Sequence, residues 1–210
     1  MDFKNQRPEN IFGYPHPILE EIEINSKKEG IPLLSRGGAR AIYQLCAMLA
    51  PKKVLELGCG IGYSSAWLAC AMTEGEIHLS DYNNSYLQRS SELIGKINPN
   101  ISIRTFVGES TSFLEQSRDE YDLIFIDIDK LFYKRALDFA LPRLSKRSLL
   151  IFDNAYFSGR TFSATEEKKV GVDSIRATIL TLRSLDLVSN LWDVGDGLLV
   201  AFRSQNTDKI

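Results

Sequence analysis

The chain has 210 residues, 44% hydrophobic and 25% charged, and its 25 basic and 27 acidic side chains leave a formal net charge of −2. That is the make-up of one globular domain with a sizeable core, and it provides no general field to draw the chain to nucleic acid or an anionic membrane. Cys46, Cys59 and Cys70 form no Cys-x-x-Cys pair, residues 1–17 lack a signal-type apolar core, and no apolar run approaches the ~20 residues of a membrane helix, so a reducing cytoplasm is expected.

Residues 1–16 read as an irregular lead. Pro17 suits the first turn of a helix running to about Lys28, with Ile18, Leu19, Ile22 and Ile24 partly on one side and Gly30 ending it. A second helix is expected from about Ser35 to Leu49, where Ala41, Leu45, Met48 and Leu49 fall at helical spacing. Together, residues 1–34 make an N-terminal helical segment and a candidate lid on a single domain of residues 1–210.

From Lys53 onward strands and helices alternate. Strands are predicted at 53–57, 76–80, 101–107, 121–126 and 148–152, with helices at about 63–73, 85–96, 111–116 and 132–141 between them. A polar segment (158–170), a helix (172–184) and two strands near 186–193 and 197–203 follow. Such alternation predicts an α/β, doubly wound, mostly parallel sheet with helices on both faces. Only a few residues around Gly195-Asp196-Gly197 join the last two strands, too few for a crossover helix, so they should pair as a hairpin and give an antiparallel edge strand.

Val54 to Gly62 is the most informative stretch: an apolar run bearing Glu56 passes into Gly58, Gly60 and Gly62, and a helix follows. Glycines let a backbone turn sharply and approach a ligand closely, as at nucleotide-type cofactor sites. The dinucleotide pattern G-x-G-x-x-G would put its third glycine at Tyr63, which weakens that reading. Glu-x-Gly-x-Gly-x-Gly is instead the pattern of S-adenosylmethionine binders.

Open α/β sheets bind ligands at the carboxyl ends of their strands. Each predicted strand offers something there: the glycine turn, then Asp81, then Gly108-Glu109-Ser110, then Asp127-Ile128-Asp129-Lys130, then Asp153-Asn154. Asp81 suits the two hydroxyls of a ribose, a device common to both cofactor classes. Glu109 and Ser110 suit an adenine edge, with helix capping by Ser110 as the alternative. Asp127 and Asp153, on adjacent strands, can converge, and with the amide oxygen of Asn154 they make a hard oxygen set suited to Mg²⁺ or Ca²⁺ and unsuited to zinc. Asp129 is a further candidate ligand or a salt-bridge partner. A divalent ion nearby disfavours the ammonium form of Lys130, which suits a general base. His16 and His78 are assigned structural or solvent roles, and Tyr156, Phe157 and Phe162 either line a substrate pocket or pack.

In order and spacing, Glu56 to Ser64, Asp81, Gly108 to Ser110, Tyr121 to Tyr133, Asp153-Asn154 and Gly195 to Gly197 resemble the cation-dependent, S-adenosylmethionine-dependent O-methyltransferases, the group of catechol and caffeoyl-CoA O-methyltransferases and their small bacterial relatives. The resemblance covers about Glu29 to Arg203. It implies a seven-stranded class I methyltransferase (Rossmann-like) fold, a homodimer, a cation (Mg²⁺, Ca²⁺ or Mn²⁺) on Asp127, Asp153 and Asn154, and Lys130 as base. It places Ser64 near the methionine carboxylate, Asp81 on the ribose and Glu109-Ser110 near the adenine. The implied cofactor set is Glu56, Gly58, Gly60, Gly62, Ser64, Asp81, Glu109, Ser110 and Asp127, with Asp127 also catalytic. Two departures concern the substrate: Ala136 stands where the family often has a second tyrosine, and the usual tryptophan-glycine pattern after Asn154 is missing.

The expected reaction is methyl transfer to one hydroxyl of a catechol-like acceptor. Alternatives are a hydroxylated uridine in tRNA, against which the acidic balance argues, and a cofactor-binding module without catalysis. An NAD-dependent oxidoreductase lacks both the third glycine and an evident hydride-site acid.

Overall fold

A computed structural model describes residues 11–165 and 169–204. Residues 1–10 of the expected lead and 166–168 of the expected polar segment lie outside the described residues.

Two helices open the described chain: α1 (Ile18–Glu29), closed by Gly30 in the left-handed conformation at φ 68°, and α2 (Arg36–Leu49), capped by the Ser35 side chain, which accepts the Gly38 N–H. An alternating series follows: β1 (Lys53–Leu57), α3 (Tyr63–Ala71), β2 (Gly75–Asp81), α4 (Asn84–Ile97), β3 (Ile101–Val107), α5 (Ser110–Gln116) and β4 (Tyr121–Ile126). Then come a 3-10 turn (Lys130–Phe132), α6 (Tyr133–Ala140), β5 (Leu144–Phe152), α7 (Val170–Arg183) and the strands β6 (Val188–Trp192) and β7 (Leu198–Arg203).

Among the described residues the seven strands form one sheet in the order β3-β2-β1-β4-β5-β7-β6. The first five pair in parallel, and β7 runs antiparallel to both β5 and β6, so the antiparallel edge is the final hairpin. Strand order reverses between β1 and β4, the place where α/β sheets open a crevice at their carboxyl ends.

Period-two alternation divides the core. Val54, Ile77, Leu123, Phe125, Leu149 and Ile151 face α2, α3 and α4, whereas Leu55, Leu57, Ile124, Ile126, Leu150 and Phe152 face α5, α6 and α7. Each central strand is therefore apolar on both sides, which is why it reads as a continuous apolar run. Leu19 and Ile22 of α1 pack on Ile61, Tyr63, Ala66 and Trp67, tying the N-terminal segment to the helix after the glycine turn.

Several boundaries differ from expectation. β5 starts at Leu144, because its polar first half pairs with β4 at Tyr121 before the apolar stretch begins. The expected helix from 132 starts instead as a 3-10 turn and becomes α-helical at Tyr133. Met48, expected on the buried side of α2, is 68% exposed, and Ile42 and Cys46 take the core positions. Ile24 is likewise exposed. His78, in the middle of β2, is fully buried with Nδ1 2.9 Å from the Tyr121 hydroxyl. Among the described residues no helix is long and apolar enough to cross a membrane.

Candidate active site at the strand tips

The three glycines of the turn do different jobs. All have positive φ, at 82° for Gly58, 50° for Gly60 and 87° for Gly62. A Cβ on Gly58 would sit 2.1 Å from the Asp127 carbonyl oxygen, and one on Gly62 would sit 2.8 Å from Cα of Ser90. These two glycines let β4 and α4 come close. Gly60 faces open space, with nothing within 4 Å of a Cβ there, so it alone of the three leaves room beside the backbone for a ligand.

Asp81, at the tip of β2, accepts the Gly60 N–H on one carboxylate oxygen (2.9 Å) and the Asn83 N–H on the other (2.9 Å). It thus shapes the turn and remains partly accessible beside it. Glu56 is different. It is fully buried, with its two carboxylate oxygens accepting from the Ser64 and Ser65 hydroxyls. Burial pushes its carboxyl up to about 7, the two hydroxyls oppose that shift, and the charges of Asp127 and Asp81 add to it. Glu56 therefore acts from beneath the turn. Ser64, which the family resemblance puts near the methionine carboxylate, donates its hydroxyl to Glu56 and is 8% exposed.

At the tip of β3, the cap of α5 is Glu109 and not Ser110. The Glu109 carboxylate accepts the N–H and hydroxyl of both Thr111 and Ser112. Burial raises its carboxyl, but these donors outweigh burial and hold it below the ordinary value. Ser110 is buried and its hydroxyl accepts from Ser80 at 3.0 Å. A cavity of about 410 Å³ beside this corner is lined by Ser80, Phe106, Gly108, Glu109 and Phe113 among others.

The tips of β4 and β5 are neighbours, as the Ile126–Phe152 register requires. Asp153 is 2% exposed, and burial first, then the charge of Asp127, pushes its carboxyl up to about 7. Lys130 Nζ lies 3.3 Å from Asp127 Oδ1, donates to the Ile128 carbonyl at 3.2 Å and to the Tyr133 hydroxyl at 2.8 Å. Its side chain is 12% exposed, so it is no ordinary surface lysine. Asp129 caps the 3-10 turn by accepting the Leu131 N–H on its carboxylate at 3.0 Å. Asn154 sits beside Asp153 with a left-handed backbone, φ 51°.

Two crowded carboxylates, one of them buried, call for positive charge. Lys130 supplies some of it to Asp127. The oxygens of Asp127, Asp153 and Asn154 suit a hard cation whose remaining positions fall to water or substrate. Among the described residues no group of three or more His, Cys, Asp or Glu side chains is arranged to hold a metal, and the expected set has only two carboxylates beside its amide.

Two residues escaped the sequence reading as parts of the site. Tyr133 is buried and joins Lys130 to the Asp153 carbonyl, whereas the sequence carried it only as the last residue of a family motif, with no role assigned. Asp196, in the turn between β6 and β7, accepts the Ser158 N–H on both carboxylate oxygens at 2.9 and 3.0 Å, while the Ala155 and Tyr156 N–H groups donate to the Gly197 and Asp196 carbonyls. The hairpin thus pins the loop after Asn154, and no local pattern could have paired segments so far apart.

The family model described as O-methyltransferase matches residues 9–203, and the chain belongs to that family. It is 26% identical over 179 residues to a catechol O-methyltransferase of Niastella koreensis, covering 81% of each chain. Its fold is similar to that of an O-methyltransferase from Bacillus cereus solved in complex with SAH (TM-score 0.79, 19% identity, 93% of this chain and 94% of the other). It is similar also to that of TomG, an O-methyltransferase from Streptomyces achromogenes in tomaymycin synthesis, solved in complex with SAM (TM-score 0.79, 17% identity, 92% of each chain).

Proposed function

We propose that this member of the O-methyltransferase family moves the sulfonium methyl of S-adenosylmethionine to one hydroxyl of a vicinal dihydroxy aromatic acceptor. The observation that carries the reading is the junction of Lys130, Asp127 and Asp153 at two adjacent strand tips, one strand away from an open glycine turn. The SAM- and SAH-bound relatives of the same fold and the catechol O-methyltransferase relative support it.

In this reading Gly60 gives the donor room, Asp81 offers its carboxylate to the ribose, and the corner at Glu109 and Ser110 borders the adenine. Glu56, Gly58, Gly62 and Ser64 hold the turn in shape from below. Asp127, Asp153 and Asn154 would hold a divalent cation, which would bind neighbouring acceptor oxygens and lower the pKa of one hydroxyl. Lys130, once its own proton has left, takes the proton of that hydroxyl. The resulting oxyanion attacks the methyl carbon in line, and the C–S electron pair leaves with the thioether. Alignment of the two reactants supplies much of the rate. A second copy of the chain is the partner this reading carries over from the family resemblance.

The test is radiolabelled methyl transfer from S-adenosylmethionine to 3,4-dihydroxyphenyl acceptors, with EDTA and then with added Mg²⁺. Transfer that stops in EDTA and returns with Mg²⁺ is expected. Full turnover in EDTA would remove the cation, and transfer to tRNA alone would replace the acceptor class.

A further inference from the structure

Resting on that reading, we infer that Glu23 is a positioning residue for the methyl donor: from α1 it fixes the first turn of α3, the helix that opens on the glycine turn. Three successive side chains start α3, and each commits its hydroxyl to a carboxylate of another element. Tyr63 donates to Glu23 of α1, while Ser64 and Ser65 donate to the two oxygens of Glu56 on β1. The helix start is thereby gripped from two sides. Glu56 holds it from beneath, and Glu23 holds it from the N-terminal segment, 40 positions earlier in the chain.

Glu23 is itself held. Arg36, the first residue of α2, meets it with two prongs, Nη2 2.7 Å from Oε2 and Nε 3.1 Å from Oε1, a geometry that fixes the plane of the carboxylate. The same guanidinium lies over the Tyr14 ring, its carbon 4.4 Å from the centroid, and donates to the Tyr14 hydroxyl. The Glu23 side chain is 12% exposed and Tyr63 is 2% exposed, so water competes little for the bond between them. Tyr63 packs edge-on against Trp67 with centroids 6.2 Å apart, which leaves the hydroxyl as the one polar handle on a buried ring.

The start of α3 matters to the donor for a local reason. Gly62 caps the helix with no side-chain hydrogen bond, so the first N–H groups of α3 stay open to an anionic group of a ligand. S-adenosylmethionine carries such a group in its α-carboxylate, and the open side of Gly60 lies two residues before the cap. A first turn free to tilt or fray would move these N–H groups relative to Gly60 and spoil the fit of the donor. Arg36 offsets the charge of Glu23, so the anchor holds Tyr63 without repelling the donor carboxylate.

The experiment measures the S-adenosylhomocysteine dissociation constant of the whole chain by calorimetry, with denaturant unfolding and steady-state turnover alongside. Tyr63→Phe keeps the ring and removes only the hydroxyl. It should weaken S-adenosylhomocysteine by about 10-fold, the scale of one hydrogen bond to a charged group. The KM for S-adenosylmethionine should rise with it, and kcat at saturation should stay within about twofold of the wild type. In a Glu23→Ala background the same substitution should change the dissociation constant by less than about twofold, because its partner is already gone. Arg40→Gln controls for a role in stability alone. Arg40 holds the Phe12 and Gly13 carbonyls at 2.8 and 2.9 Å, so its loss should destabilise the chain and leave affinity within about twofold. Unaltered affinity in Tyr63→Phe, an equal effect of that change with and without Glu23, or an equal loss of affinity in Arg40→Gln overturns the proposal while the methyl-transfer reading stands. A wild type that binds no S-adenosylhomocysteine overturns both.

Discussion

Lys130 and Tyr133 share a hydrogen bond of 2.8 Å, and the Tyr133 hydroxyl donates its own proton to the main-chain carbonyl of Asp153. Tyr133 is fully buried, and burial, with the charges of Asp127 and Asp153, pushes its hydroxyl well above its usual range, so it stays a donor. One phenol therefore fixes the lysine of one strand tip to the backbone of the next. Tyr133→Phe should cost about 1 kcal/mol of stability and lower kcat by roughly 10-fold with the S-adenosylmethionine dissociation constant unchanged. Denaturant unfolding, turnover and calorimetry separate the three effects.

Lys130→Met removes the group proposed as the base. It should lower kcat by about 10² to 10⁴ and leave cofactor affinity within about twofold of the wild type. Lys130→Arg keeps the charge beside Asp127 but not a base of usable strength, and should be nearly as slow. A Lys130→Met enzyme with wild-type kcat would remove the lysine from the reaction.

Glu56→Gln tests the buried acid beneath the turn. The carboxyl of Glu56 moves from an ordinary 4.5 up to about 7 in the fold. Below 4.5 it is protonated whether folded or not, so it costs nothing there. Between 4.5 and 7 the unfolded chain releases the proton and the folded chain keeps it, so stability falls as pH rises, by roughly 3 kcal/mol in all. Glu56→Gln should lack this component. Asp153 titrates in the same window, so the quantity to read is the stability difference between wild type and variant, which should shift toward the variant from pH 4.5 to 7.5.

Gly58→Ala and Gly60→Ala should part company. At Gly58 the added methyl meets the Asp127 carbonyl at 2.1 Å, and the variant should lose on the order of 3 kcal/mol or fail to fold. At Gly60 the methyl meets no protein atom, and only the left-handed backbone costs about 1 kcal/mol. Gly60→Ala should therefore fold, yet bind S-adenosylmethionine at least about 10-fold more weakly. Unaltered cofactor binding in that variant would empty the cradle assigned to Gly60.

The strand-helix alternation, the final hairpin and the polar strand tips were legible in the sequence. Each rests on local rules: apolar runs for strands buried on both faces, glycine and proline punctuation, and a turn too short for a crossover. The placement of ligands at carboxyl ends then nominated Asp81, Asp127 and Asp153 without coordinates. Side-chain partners are another matter, because they come from segments remote in sequence. Only the packed molecule decided that Glu56 is sealed under two serines, that Asp129 and Glu109 serve as caps, and that Gly60 alone of its trio opens outward. Met48 lies at helical spacing with buried neighbours and still faces out, since the width of a helix's covered stripe depends on what lies against it. The hairpin residue Asp196 reaching Ser158, 38 positions earlier, belongs to the same class: contact across the fold, set by sheet order and invisible to any local pattern.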